Sequence, residues 1–213
     1  MLEYYDISPE ISARTAVFPG DAPFNRTIGL DFKKGDHLLT SSIQTTVHIG
    51  AHTDAPNHYQ PGTNGIEARD LNYYLGPCQV ISVNIPRGKR ILPSDIADVK
   101  ISEKRILFKT GSFPDPNQWN ADFNSLSPEL IHHLARSGVI LVGIDTPSVD
   151  PAEDQALPSH HAIHEHDLAI LEGVVLEPVP DGVYTLIALP LRIKDADASP
   201  VRAILMTGQL WKN

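Results

Sequence analysis

Eighteen prolines and 14 glycines are scattered along the 213 residues, and this distribution constrains the fold more than any other feature of the sequence. Proline breaks helix interiors and central strands, and glycine weakens both. Short apolar and β-branched runs lie between these breaks, bounded by Gly, Pro or Asp as strands commonly are. They span residues 79–83, 105–109, 139–144 and 184–191, with 201–206 as a further candidate. The sequence therefore predicts many short strands joined by turns.

Two segments carry the signals of helix ends. Ser127 is a good N-cap, Pro128 suits the first helical position, and Gly138 supplies a stop. A second helix is predicted to begin around Ser159 and to run to about Asp167. Many strands with few helices favour an α/β or α+β domain built on a substantial sheet. No linker or composition break divides the chain, so we expect one domain over residues 1–213.

Charge and composition exclude several classes of partner. The chain has 17 Lys and Arg against 26 Asp and Glu, a net charge of −9, which argues against binding to a phosphate backbone. The longest clean apolar run, residues 139–144, is far shorter than the roughly 20 residues of a membrane span. A single cysteine, Cys78, excludes an intramolecular disulfide and suits a reducing compartment. The N-terminal residues do not resemble a signal peptide, so we expect a cytoplasmic protein.

Three histidines and one aspartate fall within eleven residues: His48, His52, Asp54 and His58. A lone histidine is most often solvated or hydrogen-bonded to the backbone. Imidazole nitrogens together with a carboxylate, however, are the ligands of divalent first-row metals, and a carboxylate can bridge two ions. The cluster therefore predicts a metal site.

The spacing of His48 and His52 would also suit a metal-binding pair on a helix. The local sequence argues against a helix, because Thr45–Val47 favours a strand, Gly50 interrupts it, and Pro56 cannot lie in a helix interior. We expect a strand that enters a tight loop, with the side chains converging on one point.

The segment from His48 to His58 resembles the signature of the metal-dependent cyclase family. Further segments of the family occur in its order: Phe18–Asp21, Gly143–Ser148, Ser159–Ile163, Ile170–Gly173 and Leu186–Leu191. The resemblance covers nearly the whole chain, and within the family it is strongest to the bacterial kynurenine formamidases. It implies an α/β fold of the swivelling β/β/α type, with a mixed, barrel-like sheet and a few flanking helices.

The resemblance also implies two zinc ions per subunit and a set of five ligands: His48, His52, Asp54, His160 and Glu172. In this set Asp54 reaches both ions and Glu172 bridges them. His58 remains unligated and transfers the proton. The ligand chemistry alone accepts Mn²⁺ or Fe²⁺ as well.

The second half of this ligand set requires a break in the predicted helix. His160 and Glu172 would lie about 18 Å apart along an unbroken helix, so the helix must end before Glu172. His161 and His164 are rivals of His160 that the chemistry alone does not separate. The remaining histidines are interpreted as surface residues: His37, His132, His133 and His166.

The implied activity is hydrolysis of N-formyl-L-kynurenine to L-kynurenine and formate, in tryptophan degradation, by a homodimer. Phe18 stands where such enzymes commonly have a tryptophan near the substrate ring, and we expect it to contact substrate. Two alternatives remain open from the sequence. One is another amidase of the family, such as an isatin hydrolase, and the other is a non-catalytic protein that binds a metal or small molecule.

Overall fold

The structure is a computed structural model and describes residues 3–208. Within this range the chain forms thirteen short strands and two α-helices, α1 (Pro128–Arg136) and α2 (Pro158–Glu165). The strands are β1 (Tyr4–Asp6), β2 (Asn25–Ile28), β3 (Ser41–Gln44), β4 (His52–Asp54), β5 (Leu75–Ser82), β6 (Arg90–Ile91), β7 (Arg105–Lys109), β8 (Ser125–Leu126), β9 (Leu141–Ile144), β10 (Ala169–Leu171), β11 (Gly182–Ile187), β12 (Ala198–Pro200) and β13 (Ile204–Met206). The predicted α/β fold with many strands and few helices is confirmed.

Seven strands form one curled, mixed sheet in the order β1-β13-β11-β5-β7-β9-β10. The half from β1 to β5 is antiparallel, and the half from β5 to β10 is parallel. Helix α2 connects the parallel neighbours β9 and β10. The parallel half therefore brings the carboxyl ends of β7, β9 and β10 to one edge of the sheet.

Side chains alternate between the two faces of the sheet, as period-2 geometry requires. Ile106 and Phe108 of β7 pack in the cluster that contains the buried residues of α1 and α2, whereas Leu107 packs in the cluster on the other face. Cys78 lies fully buried in that second cluster, in keeping with a packing residue. Both faces of the sheet are therefore covered, which is usual for parallel strands.

The helix signals predict α1 well and α2 approximately. The Ser127 side chain accepts a hydrogen bond from the backbone N–H of Leu130, and Pro128 occupies the first turn. Helix α2 begins at Pro158 and ends at Glu165, two residues before the predicted end. It stops because Asp167 adopts a left-handed φ of 50°.

Several strand boundaries differ from those predicted. β5 begins at Leu75 rather than residue 79, because residues 75–80 pair with β11. β9, β11 and β13 are shorter than the predicted runs. The strand expected at Thr45–Val47 is wrong: β3 ends at Gln44, and the chain then bends through Gly50, at a φ of 58°, before β4.

The hairpin formed by β2 and β3 projects from the body of the protein, and every residue of both strands is exposed. It carries large apolar side chains in solvent, among them Phe32 at 63% and Ile43 at 66% exposure. An isolated two-stranded hairpin is marginally stable in water, so this one is expected to gain stability from a covering surface.

Neither helix within residues 3–208 is long and apolar enough to cross a membrane.

Candidate metal centre

A cavity of about 670 Å³ opens at the carboxyl ends of the parallel strands. Asp145 follows β9 directly and Glu172 follows β10, and both line the cavity. Ligands of open α/β sheets commonly bind at this edge. The side chains of the predicted site are therefore gathered where the topology favours a binding site.

Strand β4 lies beside the end of β10 and brings the histidine cluster to Glu172. The backbones of His52 and Glu172 exchange two hydrogen bonds, of 3.0 and 2.9 Å. The hydroxyl of Thr53 also donates to the carbonyl of Ile170 at 2.6 Å. Gly173 is required at this crossing, because its φ is 64° and a Cβ there would lie 2.1 Å from the carbonyl oxygen of Gly50.

Asp54 lies at the centre of the cluster and is 2% exposed. Its Oδ1 lies 3.1 Å from Nδ1 of His48 and 3.6 Å from Nε2 of His52. Its Oδ2 lies 3.5 Å from Nε2 of His160. Each carboxylate oxygen of Asp54 thus faces different histidines, which is the arrangement of a bridging ligand.

Glu172 also faces ring nitrogens of His52 and His160. Its Oε2 lies 3.1 Å from Nε2 of His52, and its Oε1 lies 3.9 Å from Nε2 of His160. Oε1 also accepts a hydrogen bond of 2.6 Å from the backbone N–H of Val149, which fixes the side chain. The structure therefore brings the five predicted ligands together around one buried point.

Each of the three buried or half-buried histidines has one nitrogen engaged and the other turned towards the carboxylates. His48 contacts Asp197 through Nε2 at 3.0 Å, and His52 contacts the Gly50 carbonyl through Nδ1 at 2.9 Å. His160 contacts Asp150 through Nδ1 at 2.8 Å. Such contacts fix the tautomer and the ring orientation of a metal-binding histidine.

The charges of the cluster alter its protonation. Burial opposes protonation of His48, but the charges of Asp54 and Asp197 and its hydrogen bonds to them together outweigh burial and raise the pKa of His48 to about 10. Burial also opposes protonation of His160, whose pKa is raised to about 10 by its hydrogen bond to Asp150 and by nearby carboxylates. Burial would raise the pKa of Asp54, yet His48 and His160 lower it well below its ordinary value. The cluster thus attracts cations strongly.

These residues fit divalent metal ions. Both oxygens of Asp54 are buried without a hydrogen-bond partner, which is costly unless a cation binds them. Two ligands of a tetrahedral zinc ion stand about 3.4 Å apart, close to the separations between Asp54 and its histidines. His161 is exposed and His164 lies outside the cluster, so the geometry favours His160 over both rivals.

His58 lies at the edge of the cluster, with its side chain 33% exposed. Its Nδ1 is 3.6 Å from Oδ2 of Asp197, and its ring centroid is 4.2 Å from that of His48. One of its nitrogens also lies within 4.8 Å of donor atoms of Asp54 and His160. His58 is therefore close enough to the cluster for either proton transfer or ligation.

Phe18 lines the cavity and packs edge-on against Trp119, with ring centroids 5.0 Å apart. The predicted turn is present, because the N–H of Asp21 donates to the carbonyl of Phe18 and Gly20 has a φ of 102°. Phe113 forms part of the same wall. Trp119 and Phe113 come from the irregular segment after β7, and no motif in the sequence pointed to them.

The sequence profile of the Cyclase family matches residues 5–151, more than half of the chain. The chain belongs to the Cyclase family. The kynurenine formamidase of Bordetella pertussis is 45% identical over 206 residues, which cover 96% of this chain and 98% of that protein.

Two solved structures share the fold. A protein described as a potential metal-dependent hydrolase with cyclase activity superposes with a TM-score of 0.85 at 27% identity, over 98% of this chain and 100% of that one. Isatin hydrolase A of Labrenzia aggregata has a TM-score of 0.79 at 21% identity, over 98% of this chain and 94% of that one. The predicted family and its fold are thus confirmed.

The sequence did not predict two carboxylates of this cyclase-family site, those of Asp197 and Asp150. Asp197 precedes β12, which pairs with β4, and its carbonyl accepts the N–H of Ala55 at 2.8 Å. Asp150 lies in the loop between β9 and α2 and is fully buried. An acidic residue ten positions before His160 was the available signal, but several aspartates share that segment.

Asp145 also lines the cavity, but its carboxylate accepts hydrogen bonds from Thr110 and Gly111 and closes the turn after β7.

Proposed function

We propose that this cyclase-family chain is a metal-dependent amidohydrolase that hydrolyses N-formyl-L-kynurenine to L-kynurenine and formate. The observation that carries the proposal is Asp54: a buried carboxylate with no hydrogen-bond partner, faced by nitrogens of three histidines. The identity of 45% to a kynurenine formamidase, over nearly the full length of both chains, supports the substrate.

Two zinc ions are the proposed cofactors, with His48, His52 and Asp54 holding one and Asp54, His160 and Glu172 holding the other. Glu172 also contacts His52, one of the ligands proposed for the first ion, through Oε2. When bound, such ions polarise a carbonyl and lower the pKa of a water molecule to about 7. Among the described residues, the cavity wall carries seven carboxylates and neither lysine nor arginine, so two divalent ions would offset much of its charge.

His58 is the proposed proton-transfer group. Hydrolysis forms a C–O bond to the formyl carbon and breaks its C–N bond, and the departing aniline nitrogen must gain a proton. Asp197 faces Nδ1 of His58, which leaves Nε2 for the substrate. The ring is 33% exposed and lines the cavity, so it is within reach of a leaving group bound there, as general acid–base catalysis requires.

The aryl ring of the substrate is proposed to pack against Phe18 and Phe113. Both line the cavity, and Trp119 packs edge-on against Phe18. An aromatic pair in an offset or edge arrangement contributes about 0.5–1.5 kcal/mol beyond its buried area. This wall favours an aryl formamide over a small aliphatic one.

We also propose that residues 1–213 form one hydrolase domain that acts as a cytoplasmic homodimer. The exposed apolar hairpin of β2 and β3 supports a second copy as the covering surface. The free, buried Cys78 suits a reducing compartment. Nucleic acid is not a proposed partner, because the chain is acidic.

A substrate comparison tests the proposed activity. The zinc-loaded protein should release equal amounts of formate and L-kynurenine from N-formyl-L-kynurenine, with kcat/KM in the range of 10⁴–10⁸ M⁻¹s⁻¹ usual for enzymes. Isatin should be opened at least about 100-fold less efficiently. Preferred opening of isatin would assign the other activity, and no turnover of either substrate would reject the proposal.

A further inference from the structure

A second group of metal-binding side chains lies on the surface, where α1 packs against the end of α2. We propose that His132, Glu165 and His166 form a binding site for one divalent first-row transition ion, with Zn²⁺ as the test ion. None of the three lines the cavity, so the site is distinct from the centre around Asp54. It would hold an ion in addition to those proposed for catalysis.

The geometry of the three side chains suits one ion. Nδ1 of His132 lies 2.8 Å from Nε2 of His166, with the ring planes at 82°. One donor atom from each of the three residues lies within 4.8 Å of the others. Two nitrogens on a tetrahedral zinc stand about 3.4 Å apart, so a small opening of the histidine pair admits the ion.

The two histidines are held in place by secondary structure and by contacts of a neighbouring residue. His132 belongs to α1, and His166 is the C-cap residue of α2. The next residue, Asp167, is held by Arg69 at 2.6 Å and by the hydroxyl of Tyr73 at 2.7 Å. The two histidines therefore face each other without being ordered by an ion, which lowers the entropic cost of binding one.

The local charge favours a cation. Glu165 and His166 lie at the carboxyl end of α2, where the helix dipole leaves partial negative charge. Glu129 lies one turn before His132 on α1 and adds a second carboxylate near the site. A bound ion would join α1 to the carboxyl end of α2, the helix that carries His160 near its start.

A titration with Zn²⁺ tests the site. The zinc-loaded protein, dialysed against metal-free buffer, is titrated with Zn²⁺ by calorimetry, and its melting temperature is followed in parallel. Wild type should bind one additional ion, and Zn²⁺ at 100 times its Kd should raise the melting temperature by roughly 5 °C. His132→Ala and His166→Ala should each lose both effects. His133→Ala, the adjacent histidine outside the cluster, is the matched control and should keep them.

Ion binding at this surface site is distinguished from ion binding at the centre around Asp54, because the metal content of each variant is measured before the titration. An additional ion that persists in both His132→Ala and His166→Ala would overturn the proposal. Equal loss in the His133→Ala control would also overturn it, since the ion would then not depend on these three side chains. Absence of an additional ion in the wild-type protein would likewise overturn the proposal.

Discussion

Oδ2 of Asp150 lies 2.8 Å from Nδ1 of His160 and also accepts the backbone N–H of the same residue. Burial opposes ionisation of Asp150, but its hydrogen bond to His160 and its contact with Arg90 lower the pKa of Asp150 to about 2. The carboxylate therefore stays charged and holds His160 with Nε2 turned towards Asp54. This contact gives a buried acid of the cyclase-family site a positioning role.

Asp150→Asn should weaken metal binding at the half of the centre that contains His160. Loss of a carboxylate partner behind a metal-binding histidine typically costs 10–100-fold in metal affinity. Competition with a chelator measures the affinity, and circular dichroism checks the fold. Asp154→Asn is a matched control, since Asp154 contacts Arg90 at 2.7 Å but has no contact with His160. Equal weakening in both variants would show that Arg90, rather than the histidine, carries the effect.

Metal binding should release protons near neutral pH. In the metal-free protein the pKa values of His48 and His160 are raised to about 10, so both rings carry a proton that an ion must displace. Their protonation stabilises the metal-free fold fully below pH 6.5, and this contribution is lost as the pH rises through 10. Zinc affinity should therefore increase with pH up to about 10.

Calorimetry at pH 7.5, in buffers with different heats of ionisation, measures the protons released on zinc binding. Wild type should release about two from this pair, and His48→Ala about one fewer. Metal uptake with no buffer dependence would contradict the assigned protonation states.

His58→Ala should keep its metal and lose most of its activity. Proton transfer by a positioned group contributes about 10²–10⁴-fold, so kcat should fall by that factor while the metal content stays unchanged. Elemental analysis and turnover are measured on the same sample. Because His58 lies within 4.8 Å of donor atoms of Asp54 and His160, loss of an ion in this variant would make His58 a ligand instead.

Phe18→Ala should raise KM for N-formyl-L-kynurenine severalfold to tens of times, because the aryl ring loses its packing partner. The effect on small non-aromatic formamides should be weaker, and metal content should not change. Leu71→Ala, at an exposed apolar residue that neither lines the cavity nor lies on the hairpin, is the control. A large fall in melting temperature with unchanged KM would show that Phe18 serves only to pack against Trp119.

The short segment from His48 to His58 could be recognised from the sequence, because its ligand types lie close together along the chain. The break before Glu172 was also predictable, since one helix cannot bring His160 and Glu172 to the same ion. The contacts of Asp150 and Asp197 were not, because each depends on how separate loops pack. No spacing rule joins Asp197 to His48.

In the fold, too, features set by neighbouring residues were predictable, and features set by contacts with remote parts of the chain were not. Prolines and glycines predicted short strands, and Ser127 with Pro128 predicted α1 to the residue. The extent of β5 depends on pairing with β11, far later in the chain, which no local pattern contains. The bend at Gly50 likewise lies against Gly173, more than a hundred residues later, a close approach that the strand preference of Thr45–Val47 does not contain.

Turnover of N-formyl-L-kynurenine, measured as zinc is returned to the metal-free protein, tests the central claim most directly. Activity should be absent without metal, rise with added zinc and reach its plateau at two ions per chain, with further ions adding none. Asp54→Ala, which removes the carboxylate shared by both halves of the centre, should bind neither ion and show no turnover. Full activity in the metal-free protein, or a plateau at one ion, would contradict the binuclear centre built around Asp54.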